Sequence, residues 1–208
     1  MRTGRGLDRF TNFTDAVVAI AITLMVLPLV DIASGAAIRE TSVAHLLNEN
    51  QDAIFSFALS FAVIANLWLS HQRIFEQVAL YDSNVIISGY VWMLSIILLP
   101  FLTTLIAEFP NDRMAVGLYI GDMAVSSACL TFMVVIVSRT PQLRRADAEV
   151  DPTELWHAFV TTGIFVLALI VAFAVPTIGL WAILLLRLSG PATRLLVRRL
   201  GVLAKTGS

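Results

Sequence analysis

The chain has 208 residues, of which 58% are hydrophobic and only 14% are charged, and its formal net charge is −1. This composition excludes an ordinary soluble globular domain and is typical of a membrane protein. A single cysteine, Cys129, excludes an intrachain disulfide and a cysteine-based metal site.

Apolar stretches predict six membrane-spanning helices, because about 18–20 apolar residues cross a bilayer as a helix. In chain order, the predicted spans cover residues 13–31, 52–70, 84–107, 114–137, 155–175 and 177–189. The last span is short and is expected to extend or tilt. No glycine or proline occurs from Ala36 to Ser88. The second helix is therefore expected to begin well before the membrane, near Ser42.

The distribution of basic residues predicts the orientation of these spans. With the N-terminus in the cytoplasm, twelve lysines and arginines fall on inside segments and only Arg39 and Arg113 on outside segments. This asymmetry follows the positive-inside rule. Both termini are therefore predicted to be cytoplasmic. Residues 1–208 are expected to form one transmembrane domain with a short basic tail at about 190–208, which favours contact with anionic lipid over nucleic acid.

No motif indicates an enzyme. The sequence contains no nucleophile elbow, phosphate loop, kinase signature or zinc-ligand cluster. Its three histidines, His45, His71 and His157, lie in separate regions at no metal-ligand spacing. We predict no catalytic residue, no bound metal and no cofactor.

The first predicted helix has an apolar stripe between two acidic residues. Ile20, Leu24 and Leu27 share one helix face, and Thr23 lies beside it. Asp15 precedes the stripe and Asp31 follows it. Such a stripe also occurs in ordinary lipid-facing or core helices. In symmetry-related copies, however, it would form an apolar constriction with an acidic ring at one or both mouths.

The charges before the stripe need partners or water, because an unpaired charge at the edge of the hydrocarbon is costly. Arg9 and Asp15 are six residues apart, on different helix faces, and cannot pair within the helix. His71 or Arg73 at the end of the second span and Asn84 at the start of the third are at a suitable depth. A structural network that fixes the first helix is favoured, with direct ion binding by Asp15 as the alternative.

The segment Arg9-x-x-x-Phe13-Thr14-Asp15 resembles the R-x-x-x-F-S-D signature of the transmembrane protein 175 family, which comprises the lysosomal potassium channel and its prokaryotic relatives. The run AVVAIAITLMVL that follows is similar to the first helix of that family. Further similarity lies in Trp68-x-x-His71-x-x-x-Phe75 and in Leu99-Pro100-Phe101 with Thr103 or Thr104. The resemblance covers about residues 5 to 108.

The resemblance implies a potassium-permeable channel, in which single-repeat prokaryotic chains of six helices assemble as homotetramers around the first helix. It implies that Ile20 forms the narrowest point, with Leu24 and Leu27 one and two turns further out and Thr23 beside them. Pro28 stands where many prokaryotic members have glutamate, so an outer carboxylate ring would have to come from Asp31. The residues expected to carry the signature and support the pore are Arg9, Phe13, Thr14, Asp15, Trp68 and His71.

We therefore predict an all-α integral membrane protein that forms a homotetrameric, potassium-permeable channel in a bacterial cell membrane. Its partners would be copies of itself, membrane lipids and potassium ions, with other monovalent cations also able to pass. The alternatives are a proton-conducting pore and a non-channel transporter or scaffold. A transporter favours interrupted helices in matching halves, whereas only Pro28 and Pro100 interrupt the predicted spans, both near their ends.

Overall fold

A computed structural model of the chain describes residues 4–38, 42–80, 82–145 and 152–174. These residues form seven α-helices: α1 (Gly4–Leu24), α2 (Leu27–Ile38), α3 (Val43–Glu49), α4 (Gln51–Glu76), α5 (Ser83–Glu108), α6 (Arg113–Arg139) and α7 (Pro152–Ala174). Within them, five apolar segments are long enough to cross a membrane, with α1 and α2 counted as one. The all-α, multi-pass architecture is confirmed for these five spans. The sixth predicted span, 177–189, and the basic tail lie outside the described residues.

Pro28 explains why the first span consists of two helices. Proline has no amide hydrogen, so the carbonyl of Leu24, four residues earlier, loses its helical partner. The backbone bridges the break with shorter-range bonds, from the amide of Val26 to the carbonyl of Thr23 and from that of Leu29 to the carbonyl of Val26. The first span is also longer than predicted, because α1 begins at Gly4, nine residues before the apolar run.

The expected early start of the second helix is observed, but that helix is divided in two. Ser42 caps α3 by accepting a hydrogen bond from the amide of His45 at 3.3 Å. At Asn50 the backbone leaves the helical region, and its side-chain amide donates to the carbonyl of Leu46 at 2.8 Å. The long membrane helix α4 therefore begins only at Gln51.

Helices α4 to α7 form the body against which α1 packs. Ser60 on α4 shares a buried hydrogen bond of 2.7 Å with Tyr119 on α6 and accepts one of 2.8 Å from Thr103 on α5. Thr131 on α6 and Thr162 on α7 share another at 2.8 Å. Since lipid tails are as apolar as the helices, such polar contacts and close packing provide the specificity of helix association.

Two connections on one side of the body are joined by backbone hydrogen bonds. The amide of Ala79, after α4, donates to the carbonyl of Leu143, after α6, at 2.8 Å, and the amide of Arg145 donates back to the carbonyl of Gln77 at 2.9 Å. The guanidinium of Arg144 donates to the carbonyls of Val137 and Ser138 in the last turn of α6. A positive charge at this end also complements the helix dipole.

Candidate pore helix and the contacts that hold it

Helix α1 has one face packed in the protein and one face exposed. Its buried residues recur at helical spacing: Leu7, Phe10, Thr14, Val18 and Ala21, followed by Met25 just after the helix ends. All of them except Thr14 belong to the hydrophobic core. The opposite side, which we call the outward face, consists of Phe13, Ala16, Ile20 and Leu24, together with Leu27 at the start of α2. Ile20, in the middle of this face, is 58% exposed. Ile20, Leu24 and Leu27 are thus all on a surface that the other described residues leave exposed.

Asp15 is held by two donors from α4. Its Oδ1 accepts a hydrogen bond of 2.9 Å from Nε1 of Trp68 and one of 2.5 Å from Nε2 of Gln72. All three side chains are half-buried. We call these two hydrogen bonds the Asp15 contact. Hydrogen bonds to an ionised carboxylate are stronger than neutral ones, so the Asp15 contact attaches α1 firmly to the last turns of α4.

The other partners suggested for Asp15 form different contacts. Arg73, next to Gln72 in the chain, is exposed on another side of α4, because neighbouring residues point about 100° apart around a helix. Asn84 donates to Asp82 at 3.3 Å. His71 is fully buried, and neither ring nitrogen has a hydrogen-bond partner among the described residues. The suggestion that His71, Arg73 or Asn84 bonds Asp15 is therefore wrong.

The imidazole of His71 is instead part of an aromatic stack. Its ring centroid lies 4.4 Å from that of Phe75 and 4.4 Å from that of Trp92, with interplanar angles of 30° and 14°. The stack connects α4 with α5 directly behind the Asp15 contact. His71 therefore lies where a change in its ring would be transmitted to the packing of both helices.

Phe10 forms the second contact between α1 and the body. Its ring lies between Phe75 on α4, with a centroid distance of 5.7 Å, and Tyr90 on α5, at 5.5 Å. Gly89 on α5 makes room for this ring, because a Cβ atom there would lie 2.5 Å from Cζ of Phe10. The hydroxyl of Thr14 is buried and donates to the carbonyl of Phe10 at 2.9 Å. Thr14 thus satisfies its polar group inside the helix and does not point towards the mouth of a pore.

The remaining predicted residues lie on exposed surfaces. Arg9 is exposed and forms no ion pair with any described side chain. Phe13 is exposed on the outward face, and Asp31 is exposed on α2. Thr23 is exposed too, but its hydroxyl donates to the carbonyl of Ile20 at 2.8 Å. Asp31 is therefore an exposed acidic residue beyond the apolar stripe.

Sequence reasoning missed three residues at this site: Phe10, Gln72 and Gly89. Gln72 follows Trp68 by four residues, so the two share a helix face, and this spacing was a usable signal. Phe10 also had a signal, since it begins the periodic series that continues with Thr14, Val18 and Ala21. Nothing in the sequence alone pairs Gly89 with Phe10.

The described residues offer an uncovered apolar surface and no ligand site for a metal. No group of three or more His, Cys, Asp or Glu side chains within the described ranges is arranged to hold an ion. Chemically, the site is an exposed apolar ridge along α1 and α2 with the carboxylate of Asp31 at one end. The Asp15 contact attaches α1 to α4. These features define a multi-pass helical membrane protein whose first span exposes an apolar stripe.

This chain is similar in sequence to known proteins. Residues 9–100 match the profile of the family described as "Endosomal/lysosomal potassium channel TMEM175". A protein from Chamaesiphon minutus named as a potassium channel is 28% identical over 83% of this chain and 85% of its own length. A potassium channel from Streptomyces collinus is 30% identical, over 51% of this chain and 50% of its own length.

The same fold is found in a crystal structure. The structure of a lysosomal potassium-selective channel TMEM175 homolog from Chamaesiphon minutus superposes with a TM-score of 0.71, at 21% identity, and covers 91% of this chain and 98% of that one. The zebrafish protein named "Endosomal/lysosomal proton channel TMEM175" is 21% identical over 72% of this chain, but this match covers only 28% of the fish protein. Residues 9–100 of the chain therefore match the TMEM175 family.

Proposed function

We propose that this protein is a potassium-permeable channel, in which four copies of the chain surround a central pore lined by α1. The observation that carries the proposal is the exposed ridge of Ile20, Leu24 and Leu27 on a helix whose other side is firmly packed. One copy of this ridge cannot enclose a pore, whereas symmetric copies can close it into a narrow apolar ring. Two relatives named as potassium channels support the same role.

The proposed orientation places both termini in the cytoplasm of a bacterial cell. The connections after α4 and α6 lie together and carry Arg144 and Arg145, with Arg139 in the last turn of α6. The positive-inside rule assigns this side to the cytoplasm. The start of α1 packs against the end of α4, so the Asp15 contact lies near the inner mouth and Asp31 near the outer mouth.

In this proposal, Ile20 forms the narrowest ring and Leu24 and Leu27 extend it outwards. A permeating ion must give up part of its hydration to pass an apolar ring, and a potassium ion does so more readily than a sodium ion. Selectivity is therefore expected to be modest compared with a filter built from carbonyl oxygens. No catalytic residue or cofactor takes part, and the permeating ion is the only ligand the role requires.

Replacement of Ile20 tests this assignment. Ile20→Asn adds hydrogen-bonding groups that substitute for lost water, so it should raise cation flux several-fold and erode the preference for potassium over sodium. Flux is measured in liposomes with a potassium or a sodium gradient. Ile97 on α5 provides a matched control, because it has the same side chain and is 51% exposed. Ile97 also lies at a similar level along the bundle. Helices α1 and α5 run parallel, Phe10 lies beside Gly89, and Ile20 and Ile97 follow these two residues by ten and eight positions.

Ile97→Asn should leave flux and selectivity unchanged. Equal effects of the two substitutions, or no effect at Ile20, would show that another surface lines the pore. Wild-type liposomes that pass no potassium would contradict the channel itself.

A proton-conducting pore is the second candidate, and the name of the zebrafish relative favours it. A narrow apolar ring can pass protons along transient water without passing larger hydrated ions. The same liposomes distinguish the two roles if a pH-sensitive dye is enclosed. Acidification without potassium flux would assign the pore to protons.

A further inference from the structure

A cleft opens between the described parts of α4, α6 and α7, with a volume of about 270 Å³. Three of its wall residues are buried and apolar: Leu67 and Ile74 on α4 and Leu130 on α6. The cleft lies on the side of α4 opposite to the Asp15 contact. Successive residues point about 100° apart around a helix, so Ser70 and Arg73, which line the cleft, point away from Trp68 and Gln72. The cleft therefore belongs neither to the proposed pore nor to the contacts that hold α1.

Two opposite charges line the cleft without neutralising each other. Arg73 lies in the last turn of α4 and Glu154 in the first turn of α7. They form no ion pair, since the only ion pair among the described side chains joins His45 and Glu49. Oε2 of Glu154 accepts a hydrogen bond of 2.6 Å from Gln77, and no described donor bonds its other carboxylate oxygen. A guanidinium and a carboxylate are thus both available at one opening.

The charged end of the cleft lies at the ends of two membrane-spanning helices, where lipid headgroups are expected. Arg73 is exposed, and Glu154 and His157 are half-buried at the end of the bundle that carries the basic connections. The apolar wall lies further along the same helices. Clefts of this kind between membrane helices on the basic side of a protein are suited to phospholipid headgroups.

We propose that this cleft binds a phospholipid with a primary amine in its headgroup, such as phosphatidylethanolamine. The phosphate binds the guanidinium of Arg73, the ammonium group donates to the free oxygen of Glu154, and the start of an acyl chain lies against the apolar wall. A purely anionic headgroup would leave the other oxygen of Glu154 without a donor, and a choline headgroup has no N–H to donate to it. The charge pair therefore selects an aminophospholipid.

Native mass spectrometry of the full-length protein in mild detergent tests this assignment. The protein is titrated with phosphatidylethanolamine, phosphatidylcholine and phosphatidylglycerol of identical acyl chains. Wild-type protein should retain phosphatidylethanolamine about tenfold more tightly than the other two, the change expected for one charge-assisted hydrogen bond. Equal retention of all three lipids, or preference for phosphatidylglycerol, would overturn the proposal.

Substitutions locate the binding within the cleft. Arg73→Gln should weaken retention of every phospholipid about tenfold, whereas Glu154→Gln should abolish only the preference for phosphatidylethanolamine over phosphatidylcholine. Arg139→Gln and Glu76→Gln are matched controls, because both side chains are exposed and lie outside the cleft. Equal losses in the control variants would overturn the assignment, because bulk electrostatics would then explain the binding.

Two further measurements test the site without removing either charge and distinguish a lipid headgroup from free phosphate. Thr161→Trp fills the cleft from a half-buried wall position and leaves both charges in place, so it should also abolish lipid retention. Retention that persists in this variant would contradict the site. Inorganic phosphate should not displace the lipid, and displacement at millimolar phosphate would assign the cleft to free phosphate instead. None of these measurements depends on whether the protein conducts ions.

Discussion

Asp15 is a charged residue at the start of an apolar helix, and the structure gives it two donors from one neighbouring helix. Trp68 and Gln72 both donate to the same carboxylate oxygen. This geometry favours the structural alternative over direct ion binding, because both donors come from α4 and hold the carboxylate on that side of α1. Asp31, by contrast, is exposed. The two acidic residues that flank the apolar stripe therefore have different expected roles.

Removal of the Asp15 carboxylate should destabilise the protein. Asp15→Ala leaves two half-buried donors without an acceptor, which should cost about 1–3 kcal/mol and lower both the midpoint of thermal unfolding and the yield of assembled protein. Asp15→Asn retains one acceptor oxygen and should be affected less. Fluorescence-detected unfolding in detergent measures both effects.

Asp31→Ala is the control for this experiment, because the same atoms are removed from an exposed carboxylate. It should leave the unfolding midpoint unchanged and reduce cation flux if Asp31 attracts ions to the outer mouth. An unchanged midpoint in Asp15→Ala would show that the Asp15 contact does not hold α1.

At the scale of helices, α1 and α5 approach closely because Gly89 lacks a side chain. The ring of Phe10 occupies that space and is confined on its other sides by Phe75 and Tyr90. A methyl group at position 89 would push the ring against aromatic neighbours that leave it little room. The position of the pore-helix candidate therefore depends on a glycine of another helix.

Gly89→Ala should be destabilising by about 1–3 kcal/mol, the usual cost of overpacking, although alanine is the better helix former. Thermal unfolding again provides the measurement. Gly163→Ala on α7 is the matched control, because nothing lies within 4 Å of the added Cβ atom, and it should be neutral or slightly stabilising. If the two variants unfold at the same temperature, the Phe10 ring is not confined as described.

The sequence predicted the membrane helices better than their ends and contacts. Hydropathy located five of the spans, but it placed the start of the first at residue 13 because Asp8 and Arg9 interrupt the apolar run. Helix α1 nevertheless begins at Gly4, since Leu7 and Phe10 bury one side of this polar turn against the body. Hydropathy averages over all faces of a helix, whereas burial depends on one face.

The partners of Asp15 show a second limit of sequence reasoning. The position along α4 was predicted to within one residue, since Arg73 is adjacent to Gln72 in the chain. The direction in which the side chain points around α4 was predicted wrongly, because neighbouring residues point about 100° apart around a helix. The stripe of Ile20, Leu24 and Leu27 was predicted as one face of a single helix, whereas the structure divides these exposed residues between α1 and α2.

At the scale of the whole molecule, the proposed pore exists only in an assembly. The exposed side of α1 includes two small residues, Ala16 on the outward face and Ala19 beside it, which allow helices to approach one another closely. Native mass spectrometry in mild detergent should show a homotetramer as the main species. A strictly monomeric mass under conditions that preserve the fold would rule out a pore on a symmetry axis.

The most direct test of the central claim is the accessibility of position 20 from the ion pathway. Cys129 is the only cysteine in the chain, so Cys129→Ala provides a cysteine-free background for Ile20→Cys and for the control Ile97→Cys. Four thiols around a narrow ring should bind cadmium, and cadmium should block potassium flux through Ile20→Cys liposomes while leaving Ile97→Cys unaffected. Unblocked flux at position 20, or equal block at both positions, would contradict a pore lined by the outward face of α1.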